Sequence, residues 1–210
     1  MDKPIHIENI FPTPVGFSKY DKDISKELEF IKNLEFKTSI PTNNQPSKNN
    51  YLGECKELSN LMKFFTESAN AFAKQIYNIN EPLYITQCWA NKLIKGAVVG
   101  EHSHQNSIIS GVFYLQLNLG HPMLQLKRII TDTILPSMSS IGGEGLFNVC
   151  GDSVMFPMKV GELIMAQGSL RHCTFENRSA EPRMSIAFNT FSKVLGSKDT
   201  LTHLDVTKLK

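Results

Sequence analysis

The chain has 210 residues, with 22 lysines and arginines against 20 aspartates and glutamates, a net charge of +2, and 41% hydrophobic residues. That length fits one domain with a sizeable core, and the near-neutral balance gives no basic field that would argue for nucleic acid as a default partner. The apolar runs fall short of the roughly 18 residues that suit a membrane span and MDKPIHIENIF lacks the basic-then-apolar character of a signal peptide, so a cytoplasmic protein is expected.

In chain order, IHIENIFPTPVGFSKY alternates apolar residues around two prolines, which suits an edge strand entering the domain. A helical pattern runs from about Asp21 to Leu34, and PTNNQPSKNN after it is polar and turn-rich, as a surface loop would be. From about Ser59 to Ile79, Leu61, Phe64, Phe65, Ala69, Phe72, Ala73 and Ile76 recur at helical spacing. They predict a long amphipathic helix whose apolar face covers a sheet.

From Leu83 the pattern changes to short β-type runs broken by Gly, Pro and Asn: LYITQCWANKLI, SIISGVFYLQL, QLKRIITDTIL, SVMFPM, GELIMAQG, HCTFEN and MSIAFNTF. Such runs predict an antiparallel sandwich or barrel rather than βαβ units, so the fold class is mainly β with flanking helices. The stretch from Asn118 to Pro157 is irregular enough to hold long loops, natural lids for a substrate. After Phe191 the tail is polar and expected to be loosely held. The whole of 1–210 reads as one domain: a strand and helices over about 1–82, the β core over about 83–191, and the tail over 192–210.

Chemistry concentrates at two places. In GEHSHQNS, His102 and His104 are two residues apart. On a strand, that spacing puts both on one face, about 7 Å apart, where they can converge on one metal ion. His172 follows 70 residues later, and 11 residues beyond it RMSIAF places Arg183 and Ser185 on a shared strand face, suited to a carboxylate. Together they suggest a non-haem iron site with an acidic co-substrate beside it. His6, His121 and His203 have no such context and read as surface or packing residues. Cys55, Cys88, Cys150 and Cys173 show no C-x-x-C pairing, so they read as free thiols in a reducing compartment, and Cys173 on a strand would face away from its neighbour His172.

The combination of W-x-N at Trp89 and Asn91, H-x-H at His102 and His104, the run NSIISGVFYL, a glycine-led strand ending at His172 and R-x-S-x-x-F-N from Arg183 resembles the 2-oxoglutarate/Fe(II)-dependent dioxygenases of bacteria and marine phages. The opening IFPTPV is similar too, so the resemblance runs from about Ile7 to Phe191. It implies a double-stranded β-helix, a jelly-roll variant of the sandwich, with helices on one outer face. Its usual triad is a histidine, a carboxylate two residues on, and a distal histidine. Here His102 and His172 take the outer positions, while His104 stands where the carboxylate is expected.

The resemblance implies Fe(II) as the metal and 2-oxoglutarate as co-substrate, with Arg183 on its 5-carboxylate, Ser185 adding a hydroxyl, and Tyr114 and Asn91 as further contacts. Asn189 shares their strand face, and hydroxylation is the default outcome. A displaced ligand such as Glu101 or Asn106, or a two-histidine site completed by water, stands as the alternative to a three-histidine centre; imidazole also suits Zn, Ni or Cu. Two other readings stay open: a three-histidine, cupin-like metalloenzyme that does not use 2-oxoglutarate, and a non-catalytic jelly-roll binding module. The substrate, small or macromolecular, is not specified, and a homodimer is compatible with the strand edges and long helix.

Overall fold

The computed structural model describes residues 6, 12–38, 42–127, 153–197, 199 and 201–208. Two antiparallel sheets face each other. The larger runs β1 (Val15–Lys19), β7 (Glu162–Gln167), β4 (Ile109–Gln116), β9 (Arg183–Ser192), β3 (Leu83–Leu93), β2 (Asn44–Pro46) in spatial order. The smaller runs β6 (Ser153–Met155), β5 (Leu124–Lys127), β8 (His172–Thr174), and a bridge between His102 and His172 adds the segment after β3 to its edge.

The period-two alternation of the strands decides what each sheet face does. On β4, Ile109, Phe113 and Leu115 face outward under the helices, with Leu163 and Met165 of β7 and Met184, Ile186 and Phe188 of β9 in the same cluster. Tyr114 and Ile164 point the other way and pack with Leu126 and Met158 between the sheets. The same inward face carries a row across three strands: Asn91 of β3 opposite Ser185 of β9, and Ser185 opposite Tyr114 of β4.

α2 (Ser59–Tyr77) covers the outward face with Leu61, Phe65, Ala69, Phe72 and Ala73. Phe65 stacks on Phe188 with centroids 5.0 Å apart and packs on Phe113 at 5.2 Å. Gly111 makes the sheet thin enough for this, since a Cβ there would come within 2.5 Å of the Phe188 ring. The helix stops at Tyr77, short of the expected Ile79, because Asn78 turns left-handed at φ 53°. The Asn78 amide donates to the Lys74 carbonyl, as in an αL cap, and the Ile79 amide reaches back to the Ala73 carbonyl. Ile76, expected on the apolar face, is 47% exposed.

α1 (Ser25–Lys32) is shorter than the predicted 21–34. Asp23 accepts from the Ser25 amide and hydroxyl, holding the preceding residues out of the helix. Two further expectations change. The polar stretch read as a surface loop contains β2, which pairs Asn44, Gln45 and Pro46 with Leu93, Lys92 and Asn91 at the sheet edge; Pro46 suits an edge, where a missing N–H costs no ladder bond. The tail read as loosely held forms a small hairpin of β10 (Val194–Leu195) and β11 (Leu204–Asp205). Most of the stretch read as long loops, and Cys150 with it, lies outside the described residues. No helix among the described residues is long and apolar enough to cross a membrane.

Because Phe65 is fully buried between Phe113 and Phe188, Phe65→Ala is expected to lower unfolding stability by about 3–5 kcal/mol, measured by urea titration. A loss under about 1 kcal/mol would show that the helix does not seal this face.

Candidate metal centre

His102 and His172 are directly opposite in an antiparallel pair: the His102 amide donates to the His172 carbonyl at 3.0 Å, and the His172 amide returns the bond at 2.9 Å. Residues so paired present their side chains on one face. Leu126 continues that row on the other side of His172, so both imidazoles point into the space between the sheets. Cys173 falls on the opposite face, its thiol on the Gln125 side-chain oxygen at 3.1 Å, as alternation predicted.

His104 is fixed by a different device. Its amide donates to the Gly168 carbonyl at 2.7 Å. Gly168 has to be glycine, since a Cβ would lie 2.3 Å from the Ser107 carbonyl oxygen and 2.8 Å from that of His104. Ser107 ties the same segment to β9, accepting from the Thr190 amide at 3.2 Å and donating to the Ile109 carbonyl at 2.9 Å. The Trp89 ring lies along the imidazole of His104, 5.6 Å between centroids and 28° between planes. The serines of the NSIISG run are therefore scaffold. The sequence displays that run and Trp89 but not what they hold, and nothing local in it marks Gly168.

The three imidazoles place one ligand atom each within 4.8 Å of one another. His102 and His172 hold Nδ1 on the carbonyls of Gly100 (2.8 Å) and Leu170 (2.9 Å). A backbone carbonyl accepts, so Nδ1 is the protonated nitrogen and Nε2 keeps its lone pair for a metal. Nε2 of His104 stands 3.3 Å from Nε2 of His172, and nitrogens bound about 2.1 Å from one ion sit about 3.0–3.4 Å apart. Burial, then the facing His172 and His102, push His104 down to about 4. Burial first, and His102 in addition, lower His172 against the raising effect of Leu170. Both are thus neutral at pH 7, the form that ligates.

No carboxylate joins this cluster among the described residues. Glu101, one alternative ligand, is held by Arg171 at 2.5 Å, and Asn106, the other, sits exposed on a turn. His121 is buried and bonded at both ring nitrogens, to the Asn118 amide and the Glu181 carbonyl, each at 2.8 Å. That packing role steadies the stretch leading to Pro122.

Arg183, Ser185 and Asn91 line one cavity of about 460 Å³ with the three histidines, within the range of small-molecule sites. Arg183 is 3% exposed, yet no carboxylate among the described residues pairs with it. Its Nη1 donates to the Pro122 carbonyl at 2.7 Å, and Nε is buried without a partner. Burial lowers its pKa, opposed by the adjacent Tyr114, whose ring faces the guanidinium at 5.6 Å. The hydroxyls of Ser185 and Tyr114 are likewise buried without hydrogen bonds. Burial raises the Tyr114 phenol, opposed by Arg183 and then by the backbone of Leu124. Asn44 of β2, which sequence reading placed in a loop, also lines the cavity with an unpartnered side-chain oxygen. Asn189 spends its oxygen on the Ser110 hydroxyl at 2.9 Å.

Residues 87–189 match the model of a protein family described as "Putative 2OG-Fe(II) oxygenase". No curated protein matches in sequence. Among solved structures, the chain is similar to a prolyl-4-hydroxylase from Pseudomonas putida, with 11% identity, a TM-score of 0.58 and coverage of 84% of this chain and 92% of that one. It is also similar to HygX from Streptomyces hygroscopicus, solved with nickel, 2-oxoglutarate and hygromycin B, at 12% identity, TM-score 0.59 and coverage of 86% and 83%. An oxidoreductase of the 2OG-Fe(II) oxygenase family from Burkholderia pseudomallei matches at 13% identity and TM-score 0.56 over 80% of this chain and 77% of that one. At these identities the likeness is one of fold, and it shows the double-stranded β-helix.

Gly168→Ala, which touches no ligand atom, is expected to weaken Co(II) binding at least tenfold while the far-ultraviolet dichroism stays unchanged. Gly53→Ala, whose Cβ would meet the Met62 sulfur at an ordinary 3.5 Å, is expected to leave it unaltered. Equal Co(II) titrations for both variants would mean that Gly168 does not place His104.

Proposed function

We propose, for a chain that belongs over residues 87–189 to the 2OG-Fe(II) oxygenases, that His102, His104 and His172 hold the iron, that Arg183 holds the co-substrate, and that the outcome is hydroxylation of a C–H bond. The observation that carries this reading is the trio of buried, unpartnered polar atoms on Arg183, Ser185 and Tyr114. A buried cation without a counter-charge is costly, and so is each unmet donor. A dicarboxylic keto acid meets all three needs at once.

In this reading Fe(II) and 2-oxoglutarate together supply the oxidant that attacks the C–H bond. The protein's part is to bind, orient and exclude water. Arg183 pairs with the distal carboxylate of the keto acid by a charge-assisted bond, strong because the guanidinium is buried and already aimed by Pro122. Ser185 and Tyr114, opposite each other across β9 and β4, donate to the same carboxylate, and Asn91 stands on the other side of Ser185 to add a hydrogen bond. Trp89 keeps the His104 ring in one plane, and His104 takes the middle ligand position. A metalloenzyme that used three histidines without a keto acid would have no use for the Arg183 trio. That disfavours the second reading.

A reducing, cytoplasmic setting suits the thiols: Cys55, Cys88 and Cys173 are free, and burial, with Cys55 close by, pushes Cys88 up to about 12, leaving it unreactive.

An anaerobic titration with Fe(II) and then 2-oxoglutarate is expected to give the visible metal-to-ligand charge-transfer band of the chelate. Arg183→Met should raise the half-saturating 2-oxoglutarate concentration about a hundredfold, as removal of a buried charge partner does, with Fe(II) affinity unchanged. A normal midpoint in Arg183→Met would remove the carboxylate role, and absence of the band in the native protein would remove the co-substrate.

A further inference from the structure

The electrostatics of the cavity, taken with the three-histidine and 2-oxoglutarate reading on which this inference rests, leave one charge unmatched. Metal-bound imidazoles are neutral, so an Fe(II) centre on His102, His104 and His172 keeps its full +2. Arg183 adds +1 from the same cavity. Among the described residues of the cavity wall the one carboxylate is Glu101, and it is already held by Arg171 at 2.5 Å. The dianion of 2-oxoglutarate removes two of these three charges. An aspartate at position 104 would remove the third; the histidine present there does not.

We infer that the cavity takes a second anion together with 2-oxoglutarate, so that the molecule to be oxidised carries one negatively charged group, a carboxylate or a group of like charge, beside the metal. The rest of the wall fits such a molecule. Trp89, Val98, Val99 and Leu124 supply apolar surface, which lowers the local dielectric and strengthens the attraction. The unpartnered Asn44 side-chain oxygen accepts from an N–H or O–H elsewhere on the same molecule. A neutral compound of the same shape leaves the positive charge uncompensated in a buried place, and it is rejected on that ground.

The test is calorimetric and needs no turnover. Anaerobic Fe(II)-loaded protein, saturated with 2-oxoglutarate and checked by its charge-transfer band, is titrated with azide, acetate and the neutral isostere acetamide at constant ionic strength. Native protein is expected to bind both anions saturably and at least tenfold more tightly than acetamide. His104→Asp is expected to lose at least tenfold in anion affinity while keeping the band. Should that variant not fold, the acetate-to-acetamide ratio in the native protein still decides. Tighter acetate than azide places the charge on an organic substrate carboxylate, as inferred; the reverse keeps the second anion but makes it a free inorganic ion, and overturns its place on the molecule to be oxidised. Equal affinity for acetate and acetamide, or anion binding unchanged in His104→Asp, overturns the inference with the co-substrate reading intact. A missing band overturns that reading, and the inference with it.

Discussion

The paired hydrogen bonds between His102 and His172 are the constraint on which the rest depends. Two backbone bonds of 3.0 and 2.9 Å turn residues 70 positions apart into neighbours whose rings share one face. Bonds from the Thr174 amide to the Val99 carbonyl and from the Asn177 amide to the Ala97 carbonyl extend that bridge along the smaller sheet, and the Gly168 carbonyl sets His104 beside the other two. The jelly roll contributes the two sheets; the bridge converts the gap between them into a site. Side-chain bonds from Nδ1 to the carbonyls of Gly100 and Leu170 then select the tautomer. Ligand geometry and protonation are thus both set by backbone.

Burial does opposite things to the two halves of the cavity, and both favour ligands. It lowers the pKa of His104 and His172, which readies neutral nitrogen donors for a cation. It also encloses the Arg183 guanidinium with no carboxylate beside it among the described residues, a cost that a bound anion relieves. A cavity that prepares a cation site and an anion site on adjacent walls is suited to a chelating acid bound to metal. The helices on the outer face never touch this chemistry. By sealing the sheet through Phe65 and Phe188, they hold the inward row of Asn91, Ser185 and Tyr114 in register.

Much of this was legible in the sequence because it follows from periodicity. Alternation alone put Arg183 with Ser185 on β9 and turned Cys173 away from His172; it also put His102 with His104, but His104 lies outside any strand and reaches the other two through its bond to Gly168. Helical spacing found α2, although Ile76 lies outside its buried stripe and Asn78 ends it early. What escaped the sequence depends on contacts between distant segments. The close approach of Gly168 to Ser107 and His104 has no local signature, since a glycine in a β-type run also reads as a turn. β2 escaped because Asn, Gln and Pro have poor strand propensity, and only an open edge on β3 makes a strand of them. His121 has the packing role read for it, and it braces the stretch whose carbonyl aims Arg183.

The central claim is a centre of three imidazoles beside a buried arginine, and X-ray absorption at the iron edge of the anaerobic Fe(II) and 2-oxoglutarate complex tests it most directly. Three imidazole rings in the outer-shell scattering, with oxygen donors making up the remainder, are the predicted result. Two rings, with an additional oxygen in place of the third, would contradict the account and return the middle position to water or to a side chain other than His104.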